Sequence, residues 1–462
     1  MPDKYDLIVV GGGPGGLEAA TLTAGAGKRV LIIEKTGWGG TCTHRGCIPT
    51  KALLTCSRYY ADLKKLKRLG INIASATFDF SAMKKHQEQI VKVAALGAQK
   101  MLEDAGVETI AGTGEIISPG EVKFTDQLGQ AQIVSAGNIV IAWGSQPQVL
   151  PGINLSDRIL TSDGILNLKT IPASIVIVGG SFIGIEFATL FAELGVKVTL
   201  IELLEHILPQ EDEETADFLK QELTRSGIAV HNSTGLTGLK ETDSGVAIQA
   251  QKNSEQLEWN ADYVLLCTGR KPQLNEAELI NCGISYDRAG IKVNKNMMTN
   301  VPGIYAIGDV TGGMMLAHRA AQQGKVAAAN ICRYDVPPYN ERFIPSVVYS
   351  HPQIAHVGLT ASQAEAEGLP IEVVKSSYGA NIIARTELLR QGFVKAVFCR
   401  DKIIGATIAG DNAAELIVSL SLAVSTEMTR KQLQAWVIPH PTLSEIFAPL
   451  LGSKFIAPDK TS

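Results

Sequence analysis

Two short apolar runs mark the chain: Tyr5–Val10 (YDLIVV) and Ser174–Val178 (SIVIV), both rich in β-branched residues and both stopped by glycine. Runs of this length without a sustained polar alternation predict strands covered on both faces, as in a parallel sheet. The first leads into Gly11-Gly12-Gly13-Pro14-Gly15-Gly16, the second into Gly179-Gly180-Ser181-Phe182-Ile183-Gly184. A helical stretch follows each turn, to about Gly27 and to Gly195, and then a second apolar strand that ends on an acid, Glu34 or Glu202. From first glycine to acid is 23 residues in both copies, and the copies are offset by 168.

Strand, G-x-G-x-x-G, helix, strand, acid is the layout of a dinucleotide-binding βαβ unit. The first glycine (Gly11, Gly179) allows the tight turn. The second (Gly13) lets backbone approach a pyrophosphate, and the third (Gly16, Gly184) lets helix and strand pack closely. The helix N-terminus offers free N–H groups and a positive dipole end to the phosphates, and the acid accepts from ribose hydroxyls. One such turn is weak evidence; two with the same internal spacing predict two dinucleotide sites. Ser181 departs from the pattern by standing where the second glycine belongs. Glu202 is followed by Leu203, Leu204 and Glu205 with no basic residue. A 2′-phosphate there would face a carboxylate, so the second site is expected to prefer NAD over NADP.

Composition narrows the classes. The 462 residues suggest about three domains. A net charge of −4 gives no basic excess and argues against a nucleic-acid surface. With 45% hydrophobic and 19% charged residues the chain is expected to fold. No run approaches the roughly 18 apolar residues of a membrane span. MPDKYDLIVV enters a strand without a basic segment and longer apolar stretch before it, so no secretory leader and a cytoplasmic location are expected. Seven cysteines are too few and too scattered for a disulfide scaffold. Cys56, Cys267, Cys282, Cys332 and Cys399 read as buried small hydrophobes.

Cys42 and Cys47 are different. They lie in Gly39-Gly40-Thr41-Cys42-Thr43-His44-Arg45-Gly46-Cys47-Ile48-Pro49-Thr50-Lys51. Chance cysteines and a metal site with His44 are alternatives, although a structural zinc wants four ligands. A redox disulfide fits best. A bridge needs Cα atoms within about 7 Å. Five residues of an ideal helix, rising about 1.5 Å each, exceed that. One cysteine must therefore sit in an irregular helix entry, with Gly39, Gly40 and Gly46 supplying the freedom. Pro49 suits a first turn, and a helix N-terminus favours a reactive thiolate.

GGTC-x4-GC-IP-x-K after an N-terminal nucleotide fingerprint resembles the pyridine nucleotide–disulfide oxidoreductases. So do Ile141-Ala142-Trp143-Gly144-Ser145, Cys267-Thr268-Gly269-Arg270, Ile304–Val310 (IYAIGDV) and His440-Pro441-Thr442-Leu443-Ser444-Glu445. Gly308–His318 and Ser350–Thr360 make the chain look most like the members that reoxidise protein-bound dihydrolipoamide in 2-oxoacid dehydrogenase complexes. Trp143 stands where the family usually has Thr, and Ile438-Pro439 precede His440, where many members carry another His.

The resemblance implies an α/β fold of two Rossmann-like domains, for FAD and NAD, plus a C-terminal α+β dimerisation domain. The expected division is 1–147 with 273–343 for FAD, 148–272 for NAD, and 344–462 for the interface. The interface part would include a helical stretch Ala413–Ser425 and strands Phe393–Cys399 and Ile403–Ala409. The resemblance puts FAD on Gly11, Gly13, Gly16, Glu34, Thr41, Lys51, Gly114, Trp143, Gly144, Ser145, Asp309, Met315, Leu316, Ala317 and His318. It puts NAD on Gly179, Ser181, Gly184, Glu186, Glu202 and Gly269, with Lys51 paired to Glu186. It makes Cys42 the residue that exchanges with substrate, Cys47 the one facing the flavin, His440 the acid/base and Glu445 its orienting carboxylate. No metal is implied. Implied partners are a second copy of the chain, supplying His440 in trans, and the lipoyl domain of an E2 acyltransferase or a glycine cleavage H protein. Phe182 would face the nicotinamide pocket or simply pack. A glutathione-type reductase would want basic residues at the strand end holding Glu202, and a mercuric reductase an extra C-terminal cysteine pair. Neither is present. Another disulfide reductase of this fold, or a non-enzymatic scaffold role, are the alternatives.

Overall fold

The computed structural model describes residues 4–389 and 391–452. They form two compact units: residues 4–56, 79–171 and 266–341 in one, and 57–78, 172–265 and 342–452 in the other. Residues 148–171 and 266–272 group with the first unit.

The first unit is built on a parallel sheet. Strand Lys4–Val10 pairs with Val30–Glu34 on one side and with the second half of Ala131–Ile141 on the other. Residues 108–111 and strand Ile304–Ala306 extend it outward. Residues 112–118, strand Glu121–Asp126 and residues 131–135 continue as an antiparallel meander. The near-continuous apolar run at the N-terminus follows from coverage on both faces. Ile8, Val10, Leu31, Ile33, Ile139 and Ile141 point into one core. Leu7, Val9, Val30, Ile32 and Val140 point into another, with Leu17, Leu102 and Val326. Alternate side chains thus feed opposite cores.

Helices Pro14–Gly25 and Ala317–Cys332 cover that second face and pack on each other. Two glycines set how close they come. A Cβ on Gly15 would lie 2.8 Å from the Ala320 carbonyl oxygen, and one on Gly324 would lie 2.4 Å from that of Gly15.

The second unit repeats the plan. Strand Ser174–Val178 pairs in parallel with Lys197–Ile201, and that strand with Ala229–His231. Thr234–Thr242, Gly245–Lys252 and Glu255–Ala261 form the attached antiparallel meander. The same unit holds a five-stranded antiparallel sheet in the order Ser346–Val348, Gln353–Gly358, Lys402–Gly410, Phe393–Cys399, Ile371–Ser377. Helix Ala413–Ser425 buries Leu416, Ile417, Leu420 and Val424 in a core shared with Ile408, Phe398 and Phe447. The predicted helix and both predicted C-terminal strands are there.

Of the five isolated cysteines, Cys267 and Cys282 are buried. Cys56, Cys332 and Cys399 are only half-buried, so the expectation of fully buried small hydrophobes is corrected for these three. No helix among the described residues is long and apolar enough to cross a membrane.

Candidate redox site and dinucleotide turns

In the first turn Gly11 adopts φ +118°, and a Cβ there would meet the Ala142 carbonyl oxygen at 2.1 Å. A Cβ on Gly16 would meet the Gly11 carbonyl oxygen at 1.9 Å. Both positions are closed to any side chain. Gly13 is different. Its φ of −72° and ψ of −179° suit any residue, and a Cβ on it would have no protein atom within 4 Å. Neither backbone nor packing requires glycine there. The residue keeps space clear at the mouth of the helix Pro14–Gly25, which is the cradle a pyrophosphate needs. The residues present therefore fit a dinucleotide.

Glu34 is buried and locks the turn. Its Oε2 accepts from Gly12 N–H at 2.6 Å, and its Oε1 from Thr36 N–H at 2.6 Å and Thr36 Oγ1 at 2.7 Å. The second turn is built alike. Gly179 has φ +110°, and the buried Glu202 accepts from Gly180 N–H at 2.6 Å and Leu204 N–H at 2.8 Å. Ser181 caps helix Phe182–Glu193 in extended conformation, but its side chain makes no capping bond. Phe182 is the first residue of that helix and is half-buried; Gly184 is buried within it. Glu186, also buried, accepts from Tyr349 N–H at 3.1 Å.

The cysteine loop is two helices broken at one glycine. Gly39 and Gly40 have positive φ, of 95° and 58°, and open a short helix Gly40–Arg45 that carries Thr41 and Cys42. Gly46, at φ −138° and ψ −106°, ends it, and Cys47 begins helix Cys47–Asp62 with Pro49 and Lys51 in its first turns. The break brings the two sulfurs into hydrogen-bonding contact as thiols. Cys47 and burial push the Cys42 thiol far up, and Lys51 pulls the other way. A lowered thiol is therefore not found at Cys42. Cys47 stands at the N-terminus of the longer helix. His44 Nε2 meets the Trp38 carbonyl oxygen at 3.1 Å. Among the described residues no three His, Cys, Asp or Glu side chains are placed to hold a metal ion.

Asp309 sits at the end of the strand Ile304–Ala306, half-buried, and its Oδ2 accepts from the Ser145 hydroxyl at 2.6 Å. Trp143 packs on the core beneath the sheet, Gly144 turns at φ +76°, and Gly114 lies over Val10 and Ile33. Met315 and Leu316 lead into helix Ala317–Cys332, which Ala317 and His318 begin. Gly269 is exposed at φ +103° in the first unit. His440 is open to solvent, its side chain 75% exposed, and its Nδ1 lies 2.9 Å from Glu445 Oε1. Glu445 Oε2 accepts from Thr442 N–H at 3.0 Å. The His440 hydrogen bond holds the Glu445 carboxyl below the usual range. Nδ1–H donated to the carboxylate leaves Nε2 as the basic atom, facing outward.

Reading the sequence missed Asp163, Arg45 and the role of Arg270. Arg270 was visible inside Cys267–Arg270, but its partners Ser145 and Asp163 lie more than a hundred residues away.

A family model described as pyridine nucleotide-disulphide oxidoreductase matches residues 5–324, and the dimerisation domain of the same family matches residues 344–450. The chain belongs to this family. It is 37% identical over 452 residues to a dihydrolipoyl dehydrogenase of Chlamydia pneumoniae, covering 97% of this chain and 96% of the relative. It is likewise 37% identical over 446 residues to a dihydrolipoyl dehydrogenase of Geobacillus stearothermophilus, covering 96% and 94%. The crystal structure of LpdA from Mycobacterium tuberculosis superposes with a TM-score of 0.90 at 27% identity, covering 96% of this chain and 98% of that one. The two-turn architecture of an oxidoreductase and the C-terminal dimerisation domain are thus those of the family.

Proposed function

We propose that the protein is a homodimeric dihydrolipoyl dehydrogenase that reoxidises protein-bound dihydrolipoamide with NAD+. The observation that carries the reading is the contact of Cys42 with Cys47 at a helix start, directly after a nucleotide turn whose Gly13 clears space for a ligand. In this reading FAD lies on Gly11–Gly16, Glu34, Ser145 and Asp309, and NAD+ on Gly179–Gly184 and Glu202. The three-part division at residues 147, 272 and 343 assigns them to separate domains. FAD, when bound, supplies the two-electron relay that a thiol pair and NAD+ lack between them.

His440 Nε2 takes the proton of one substrate thiol, and Glu445 holds the imidazole in the tautomer that can accept it. The resulting thiolate attacks the Cys42 sulfur of the oxidised pair and releases Cys47 as thiolate. The second substrate thiol then displaces Cys42, giving lipoamide and the reduced pair. Two electrons move from substrate dithiol to the protein disulfide, and the protons leave through His440.

The exposure of His440 supports a role across a subunit interface, as do Val418 and Leu422, 63% and 64% exposed one turn apart on helix Ala413–Ser425. A lipoyl domain of an E2 acyltransferase, or a glycine cleavage H protein, would present the substrate. The enzyme would work in the cytoplasm. The test is NADH formation by purified protein from dihydrolipoamide with NAD+, against NADP+. Rapid reduction of NAD+ is expected; a protein without flavin, or one that prefers NADP+, overturns the reading. Mixing Cys47→Ser and His440→Gln subunits tests the trans arrangement. Activity returns in mixed dimers if His440 serves the partner's cysteines, and none returns if it serves its own.

A further inference from the structure

Five separate chain segments meet in a line of polar contacts inside the first unit. The Ser145 hydroxyl donates to Asp309 Oδ2 at 2.6 Å. Arg270 holds the same serine twice, Nε to Oγ at 2.9 Å and Nη2 to the carbonyl oxygen at 3.0 Å. Its Nη1 lies 3.8 Å from Asp163 Oδ1, and Asp163 Oδ2 lies 3.8 Å from Arg45 Nε. Arg45 stands between the two redox cysteines.

A hydroxyl has one hydrogen to give. With Arg270 donating to Ser145 Oγ, that hydrogen goes to Asp309 and engages Oδ2. Oδ1 then has no donor among the described residues and is the acceptor for a ligand hydroxyl. Arg270 uses three different nitrogens on three different atoms, which the planar guanidinium fork allows and a lysine ammonium does not. Its side chain is 12% exposed, so these contacts are little weakened by water. The outer step is looser: Asp163 is 28% and Arg45 45% exposed.

We infer that Arg270 is a positioning residue for the flavin site. It sets the orientation of Asp309 through Ser145, and Asp163 extends that control to Arg45 in the cysteine loop. The inference rests on the flavoprotein reading above, since it concerns how this chain prepares Asp309 to meet FAD.

The test compares wild type with Arg270→Lys, Asp163→Asn and Ser145→Ala as holoenzymes and after flavin removal. The readouts are the Kd for FAD, the midpoint potential of the bound flavin and the melting temperature. Arg270→Lys keeps the charge and loses the fork. It should raise the Kd for FAD about tenfold, the loss of about one well-placed charged hydrogen bond, and should displace the midpoint potential. Asp163→Asn should change the Kd by about threefold or less, because it acts through a part-exposed pair. If Arg270→Lys fails to fold, Ser145→Ala breaks the same line with Arg270 in place and should weaken FAD binding similarly. Wild-type Kd and potential in Arg270→Lys, or in Ser145→Ala where that variant stands in for it, overturn the inference even if melting falls. A wild-type protein that holds no FAD at all refutes the flavoprotein reading instead.

Discussion

In the first nucleotide turn Gly12 gives its N–H to Glu34, and in the second Gly180 gives its N–H to Glu202, both at 2.6 Å and both to a carboxylate 22 residues on. The first glycines share φ near +110° to +118°. The bond from the second residue of the turn to the carboxylate is therefore the same in both copies. The copies part at the position that faces outward, Gly13 in one and Ser181 in the other, where both backbones are extended and either residue is allowed. The carboxylates also differ. Glu34 accepts from Thr36 through both backbone and hydroxyl, whereas among the described residues Glu202 takes only Leu204 N–H beyond its glycine. The lesson is that the internal bonds define a nucleotide turn, while the outward residue decides how close its ligand comes. In the proposed reading Gly13 would leave its cradle clear for FAD, and Ser181 would bring a hydroxyl to NAD+.

The severest way to break the comparison is Gly16→Ala. Its Cβ would meet the Gly11 carbonyl oxygen at 1.9 Å, so the first unit should lose about 3 kcal/mol in denaturant unfolding and release its flavin. Stability equal to wild type would show that the turn tolerates what this geometry forbids. Next in size is Glu202→Arg. It removes the acceptor of two backbone amides, that of Gly180 buried and that of Leu204 part-buried, and supplies a phosphate donor. NAD+ turnover, as kcat/KM, should fall about a hundredfold relative to NADP+ turnover; an unchanged ratio removes Glu202 from cofactor choice.

Exchanging the outward residues sharpens the contrast. Gly13→Ser should fold normally yet raise the Kd for FAD about tenfold, because the intruding side chain meets ligand and not protein. Ser181→Gly should raise the KM for NAD+ about threefold through loss of one hydroxyl contact; a lower KM would mean that Ser181 obstructs its ligand. The smallest effect concerns Glu445, the half-buried counterpart of the two buried acids. His440 depresses it below its ordinary 4.5, so its contribution to holding His440 is present above that value and is lost as pH falls through the depressed one. In His440→Ala the carboxyl should titrate upward toward 4.5 in an NMR titration. An unmoved titration would assign the depression to Thr442 alone.

Much of this was legible in the sequence because it is local. Strand, turn, helix and acid lie within 30 consecutive residues in each copy, and Cys42 and Cys47 lie within six. Even the break at Gly46 follows from the reach a disulfide needs. The helix Phe80–Asp104 was not anticipated, although Asp79 caps it by accepting from Ala82 N–H. Its exposed Ile90, Val93 and Leu96 blur the apolar stripe that would have marked it. The line from Asp309 to Arg45 was illegible for another reason. Its members are polar residues spread over more than 260 positions, and no periodicity links an arginine to a serine in a distant strand. The raised thiol of Cys42 likewise depends on where its neighbour's sulfur comes to rest, which spacing alone does not fix.

The contact between Gly15 and Gly324 has a consequence for synthesis. Helix Pro14–Gly25 emerges from the ribosome almost at once, yet the helix it packs against ends at Cys332, and the strand that flanks their sheet begins at Ile304. At about 5–20 residues per second the nascent N-terminal strands wait roughly 15 to 60 s for their partners. The strands at 174–178, 197–201 and 229–231 that pair with one another in the second unit all appear within that interval. The younger nucleotide sheet can therefore assemble on the ribosome before the older one closes, and flavin capture becomes a late event in the life of each nascent chain.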